Sequence, residues 1–179
     1  GAISVSARPS TSPQLSDPPT TNADAGGAFR LVVAEPGAYV LDVGTGYVGG
    51  VPTARDEWVP TRIEGVAAGT SGLRVTLVRG RSIEGEIVDD HGERVTRRVW
   101  VDAVRRTATG DADYTTRKVV LADAGGLRVP GLPPGRYDLH VKPEADATDA
   151  GSMTLSETVV KDIEAGTHGL VVRLFRGFL

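Results

Sequence analysis

The residues with the widest chemical repertoire in this chain are its three histidines, His91, His140 and His168. His91 stands in the run Asp89-Asp90-His91-Gly92-Glu93, which puts four ionisable side chains in five positions, the composition of a metal site. Acids adjacent in sequence seldom converge on one ion, and a solvated hairpin turn has the same composition, so the run reads as a turn. His140 falls on the polar side of an alternating stretch and His168 in a Gly-flanked turn. Neither has a nucleophile at a spacing that would build a catalytic triad. Two acidic stretches, Glu144 with Asp146 and Asp149, and Asp111 with Asp113, invite a calcium reading. A calcium loop needs oxygen ligands at short regular intervals, a glycine to turn the chain and a closing bidentate acid. That order is absent, and both stretches read as solvated loops. The expectation is therefore no catalytic residue, no cofactor and no metal.

Binding chemistry is better represented. Trp58 and Trp100 are the two tryptophans, and Trp100 lies out of phase with Val99 and Val101, which turns its indole outward on a strand. An outward indole is a stacking platform for a sugar ring, while the plainer reading covers it with a loop. Arg97, Arg98, Arg105 and Arg106 flank the same strand, so Arg98 and Arg105 join Trp100 and Trp58 as candidate ligand contacts. The plainer reading of that run is a solvated face.

The elements that position these residues come from an internal repeat. Residues 122–141, ADAGGLRVPGLPPGRYDLHV, align with residues 23–43, ADAGGAFRLVVAEPGAYVLDV. Residues 162–177, DIEAGTHGLVVRLFRG, align with residues 65–80, GVAAGTSGLRVTLVRG, and the offset drifts only from 99 to 97 between the first and last of these matches. Period and order decide the architecture before any single residue does. Each copy contains an Asp-x-Gly-Gly turn, a Pro-Gly pair suited to a type II turn, and a strand in which Tyr, Leu and Val alternate with polar residues. In the second copy seven strand signals follow one another, over 81–90, 97–104, 114–122, 127–129, 137–141, 154–165 and 169–177, the pattern of a β-sandwich. The first copy starts late: residues 2–9 align with 98–105, so the counterpart of the opening strand, Ile83–Val88, is missing. The chain reads as cut from a longer array. An exposed strand edge is expected in the first copy, short, covered by the Pro-rich 8–22 loop or paired with another chain. The almost spacer-free junction at 77–85 restricts the angle between copies.

Composition bounds the rest. The 179 residues are 40% hydrophobic but only 5% aromatic, so the cores must be built of Val, Leu, Ile and Ala. With 23 Gly and 11 Pro, turns are frequent and long helices are disfavoured. A net charge of −3 argues against a nucleic-acid partner held by a basic field. No stretch approaches the ~20 apolar residues that span a bilayer. The absence of cysteine removes thiol chemistry and disulfides. Seventeen Arg against three Lys, with a single Asn, fits a GC-rich bacterial source.

The doubled pattern, Asp-Ala-Gly-Gly, then Pro-Gly-x-Tyr-x-Leu-x-Val, then Gly-x-x-Gly-Leu-x-Val-x-Leu, resembles the carboxypeptidase regulatory-like domain. The resemblance covers all of the second copy and all but the opening strand of the first. It implies an all-β fold of two tandem seven-stranded prealbumin-like β-sandwiches, residues 1–80 (the first lacking its opening strand) and 81–179, related to the Cna-B modules of bacterial surface stalks. It also implies a non-catalytic spacer or protein-interaction segment of a larger extracytoplasmic protein, at the cell surface, secreted or periplasmic. The partner would be a protein, or a glycan if the chain is instead a carbohydrate-binding module using Trp100 or Trp58. One departure is clear: the Lys–Asn cross-link of many Cna-B modules cannot form in the second copy, because the only asparagine is Asn22. The Leu174-Phe175-Arg176-Gly177-Phe178 ending resembles the Tyr-Arg-Gly-Ser terminus of transthyretin-like hydrolases. Phe175 and Phe178 replace its Tyr and Ser, which argues against that enzyme.

Overall fold

The computed structural model describes residues 3–11, 18–45, 57–122, 124–144 and 154–177. The sequence expectations that fall on Asp123, Asp146, Asp149 and Phe178 lie outside the described residues, as does the middle of the Pro-rich loop. The chain is all-β: the described residues hold thirteen strands and no helix, hence none long and apolar enough to cross a membrane. Backbone proximity divides it into two compact units, Gly1–Tyr47 with Trp58–Arg79, and Val48–Glu57 with Gly80–Leu179.

The first unit holds β1 (Ile3–Pro9), β2 (Thr20–Asn22), β3 (Ala38–Thr45) and β4 (Thr61–Ala67), in the antiparallel order β2-β1-β3-β4. Alternation puts Val5 and Ala7 of β1 and Tyr39, Leu41 and Val43 of β3 on one face, each at most 5% exposed. The register Val5 to Val43 and Ala7 to Leu41 sets these residues opposite one another across the ladder.

The second unit holds β5 (Arg81–Val88), β6 (Val99–Arg106), β7 (Ala112–Ala122), β8 (Gly126–Leu132), β9 (Arg136–Pro143), β10 (Thr154–Leu155), β11 (Thr158–Glu164), β12 (Leu170–Arg173) and β13 (Arg176–Gly177). One sheet runs β11-β9-β6-β7 and a second runs β12-β5-β8, while β10 and β13 form a short pair. Ile83, Ile87, Leu127, Val129 and Val172 of the three-stranded sheet share one buried cluster with Val101, Ala103, Tyr137, Leu139 and Val141 of the four-stranded sheet. Two sheets closed over one core make a β-sandwich.

The sequence repeat is repeated in hydrogen bonds. The order β2-β1-β3-β4 is the order β7-β6-β9-β11. The hydroxyl of Tyr39 donates to the carbonyl of Glu35 at 2.8 Å, and that of Tyr137 to the carbonyl of Pro133 at 2.9 Å. Ala68 N–H donates to Gly37 O at 2.8 Å, and Ala165 N–H to Gly135 O at 2.9 Å. Val59 N–H to Val78 O, in the first unit, repeats as Ser156 N–H to Phe175 O in the second, both at 2.8 Å. The ladders of β4 and β11 each carry a bulge at one position, Gly65 at φ 70° and Asp162 at φ 63°. Glycine takes that left-handed conformation freely, whereas Asp162 is held there: its N–H donates to Asp138 and its carboxylate and carbonyl accept from Arg136.

The two units part company at the second sheet. Residues 29–33 and 73–77 occupy the β8 and β12 positions of the repeat and alternate inward and outward as strands do, yet neither joins a ladder. Leu73, Val75 and Leu77 pack against the first core but are only partly buried; Leu170, the counterpart of Leu73, is partly buried too, whereas Val172 and Leu174, the counterparts of Val75 and Leu77, are fully buried. The reason is topological. In the second unit β5 lies between β12 and β8 and bonds to both. Among the described residues of the first unit, no strand takes that place. The expected exposed edge is therefore a gap in the middle of a sheet; β1 itself is flanked on both sides, by β2 and β3.

Candidate functional site

The gap is a cleft of about 450 Å³. Its floor is the inner face of β1 and β3, at Val5 and Val43, and its walls are Phe29 on one side and Leu73, Val75 and Leu77 on the other. The walls stand open because extended backbone at 29–33 and 73–77 lacks a partner. Two valines turned away from the cleft, Val32 and Val78, are 73% and 63% exposed. Arg30 projects from the same segment as Phe29 and is exposed. An apolar trench bordered by two unpaired extended segments is the geometry that accepts an added strand, with backbone bonds on both sides and side-chain pockets at alternate residues.

The second unit shows the same place filled. Ile83 and Ile87 of β5 are fully buried, and Gly85 between them passes so close to β12 that a Cβ there would lie 1.8 Å from Leu170 O. Outward from β5, Glu84 Oε1 accepts from Arg128 Nε at 3.2 Å and Glu84 Oε2 lies 3.2 Å from His168 Nδ1. Burial raises the Glu84 pKa, but the hydrogen bonds from Arg128 and His168 outweigh it and leave the carboxyl below its ordinary value.

The candidates read from sequence are spread elsewhere. Trp100 lies on β6, across the ladders from Leu121 and Lys142, half-buried on the face opposite Val99 and Val101. Trp58 is half-buried in the first unit, in a bridge with Arg79. Arg98 pairs with Glu144 at 3.1 Å. Arg105 donates to Pro134 O at 3.0 Å, its guanidinium over the Gly135 turn. Both arginines are thus engaged within the second unit.

The acidic turn behaves as a turn. Asp89 Oδ1 accepts from the N–H groups of His91 at 3.0 Å and Glu93 at 2.9 Å, and Oδ2 accepts from Arg176 at 2.7 Å. The Arg176 hydrogen bond is the main cause that holds the Asp89 carboxyl below its ordinary pKa. Asp24 caps the first-unit turn in the same way, through Gly26 and Ala28 N–H. Asp42 joins Arg8 and Arg62 across three strands; burial pushes its pKa up, and the two arginines together bring it below the ordinary value. Among the described residues, no three His, Asp or Glu side chains converge as a metal site would require. Comparison with family models and with curated proteins finds no match to the chain.

The cleft itself was beyond sequence reasoning as a site. Its signal was present as the missing counterpart of Ile83–Val88, but only the sheet order shows that this strand is the central one.

Proposed function

We propose that the chain is a pair of tandem carboxypeptidase regulatory-like modules, prealbumin-like sandwiches of seven-stranded type dividing near residue 80, the first lacking its opening strand. They serve as a non-catalytic spacer and protein-interaction segment of a bacterial extracytoplasmic protein. One observation carries this reading: the repeat recurs at the level of strand order, tyrosine hydrogen bond and bulge. The ionisable side chains also support it, because Asp42, Asp89, Arg105 and Arg136 spend their hydrogen bonds joining strands and turns of their own unit.

The alternative is a carbohydrate-binding module, favoured by the outward, half-buried indole of Trp100. A glycan array with the whole chain separates the two. The spacer and protein-interaction reading expects no saturable glycan signal. Binding that disappears in Trp100→Ala or Trp58→Ala, with circular dichroism unchanged, would replace it with the carbohydrate reading.

A further inference from the structure

We propose that the passage of the chain between its two units carries a pH-sensitive clamp, in which a proton on His168 tightens the hold of Arg128 on Glu57. The inference goes beyond the spacer reading and does not depend on it, because it concerns how the chain is fastened.

The chain passes between the units twice, at Glu57–Trp58 and at Arg79–Gly80. The two passages are paired with one another. In the first unit Trp58 bridges Arg79, and Val59 N–H donates to Val78 O at 2.8 Å. In the second unit Gly80 N–H donates to Glu57 O, also at 2.8 Å. Gly80 is seated on β8: a Cβ there would lie 2.3 Å from the carbonyl carbon of Gly131, so only glycine lets the chain run against that backbone. Glu57 is held to Gly80 by the backbone bond, and its carboxylate accepts from Arg128 Nη2 at 3.4 Å.

Arg128 is shared. Its Nε donates to Glu84 Oε1 at 3.2 Å, and the other oxygen of Glu84 lies 3.2 Å from His168 Nδ1, in the turn between β11 and β12. Around this cluster Ser82 also bonds Glu84, and Arg81 pairs with Glu164 at 3.7 Å. With a neutral imidazole, one guanidinium serves the two carboxylates of Glu57 and Glu84. With an imidazolium, each carboxylate has a cation of its own: Glu84 turns to His168, and Arg128 is released toward Glu57. Of these side chains only an imidazole changes charge between about pH 5 and 8, so the clamp tightens as pH falls through that range. The first copy has Ser71 at the His168 position, so the repeat does not need an imidazole there.

The test is amide hydrogen exchange of the whole chain at about pH 7.5 and about pH 5.5, each rate corrected for the intrinsic rate at that pH. The Gly80 amide should be protected about two- to fivefold better at the lower pH, the scale of an exposed ion pair. His91 and His140 titrate as well, beside Asp90 and Glu157, so variants isolate His168. His168→Gln should abolish the pH dependence at Gly80. Glu84→Gln should give Gly80 at the higher pH the protection that the parent reaches at the lower one, because Arg128 then serves Glu57 alone. Glu57→Gln should lower that protection at both values. Circular dichroism checks that each variant keeps the fold. The proposal is overturned if the parent protects Gly80 equally at both values, or if His168→Gln keeps the dependence. It is overturned too if Glu84→Gln loosens Gly80 or leaves it unchanged, since a passive surface network would lose hold when that charge is removed.

Discussion

Truncating Tyr137 to alanine should cost the second unit about 3–5 kcal/mol. The side chain is fully buried in the cluster shared by both sheets. An aromatic ring of this kind buries about 150–250 Å², and at about 25 cal/mol per Å² the transfer gain is roughly 4–6 kcal/mol. Alanine keeps part of that gain and a real unfolded chain already hides some of the area, which brings the figure into the range of large aromatic truncations. The hydroxyl is a separate and smaller quantity. It donates to Pro133 O at 2.9 Å and so ties the ring to the Pro-Gly turn; Tyr137→Phe should lose about 1 kcal/mol, more if the carbonyl finds no water. Urea unfolding followed by fluorescence measures both. In a Trp58→Phe background the only indole is Trp100, on β6, so the signal reports the second unit alone. A loss below about 1 kcal/mol for Tyr137→Ala would refute the reasoning, because a ring worth so little is not in a core. Equal losses for the two substitutions would refute it differently, by moving the whole effect to the hydroxyl.

Other outcomes follow from single positions. Gly85→Ala should cost about 3 kcal/mol or more or prevent folding of the second unit, since its Cβ would sit 1.8 Å from Leu170 O, whereas Gly92→Ala, in open space at φ 86°, should cost only about 1 kcal/mol; thermal melts compare them. Gly65→Ala should destabilise the first unit by about 1 kcal/mol in urea, because the bulge in β4 holds that residue at φ 70°. Asp89 has a folded pKa held down by Arg176 and by two backbone N–H groups, so the unfolded chain takes up the proton first as pH falls. The stability it contributes is present above the ordinary carboxylate pKa and is lost as pH drops through the lower folded value, below about pH 5; Asp89→Asn should flatten that part of a stability–pH curve measured by urea midpoints.

Much of the strand plan was legible because its signals are local. Pro134-Gly135 and the alternation of Tyr137, Leu139 and Val141 specify turn and strand without reference to anything distant, and β9 lies there. The strand signal at 97–104 is displaced by two residues, to Val99–Arg106, since alternation marks a strand better than its ends. The signal at 154–165 divides into β10 and β11 at Ser156-Glu157, where Ser156 bonds the Phe175 carbonyl through both its N–H and its hydroxyl. Leu73, Val75 and Leu77 pack against the first core but stay partly buried; Leu73 matches its counterpart Leu170 in this, whereas Val75 and Leu77 differ from the fully buried Val172 and Leu174 despite the same sequence pattern. Burial there is decided by the strand alongside, and no window of sequence around residue 75 contains that strand. For the candidate contacts, outward alternation located Trp100 correctly on its strand, but the partners that engage Arg98 and Arg105, namely Glu144 and Pro134, lie tens of residues away.

Amide hydrogen exchange at 73–77 and 170–174 tests the account most directly, because the two stretches share a Leu-x-Val-x-Leu sequence and differ in having β5 beside them. Slow exchange along 170–174 with fast exchange along 73–77 is the predicted result. Equal protection of the two stretches, or rapid exchange of β5 itself, would contradict it.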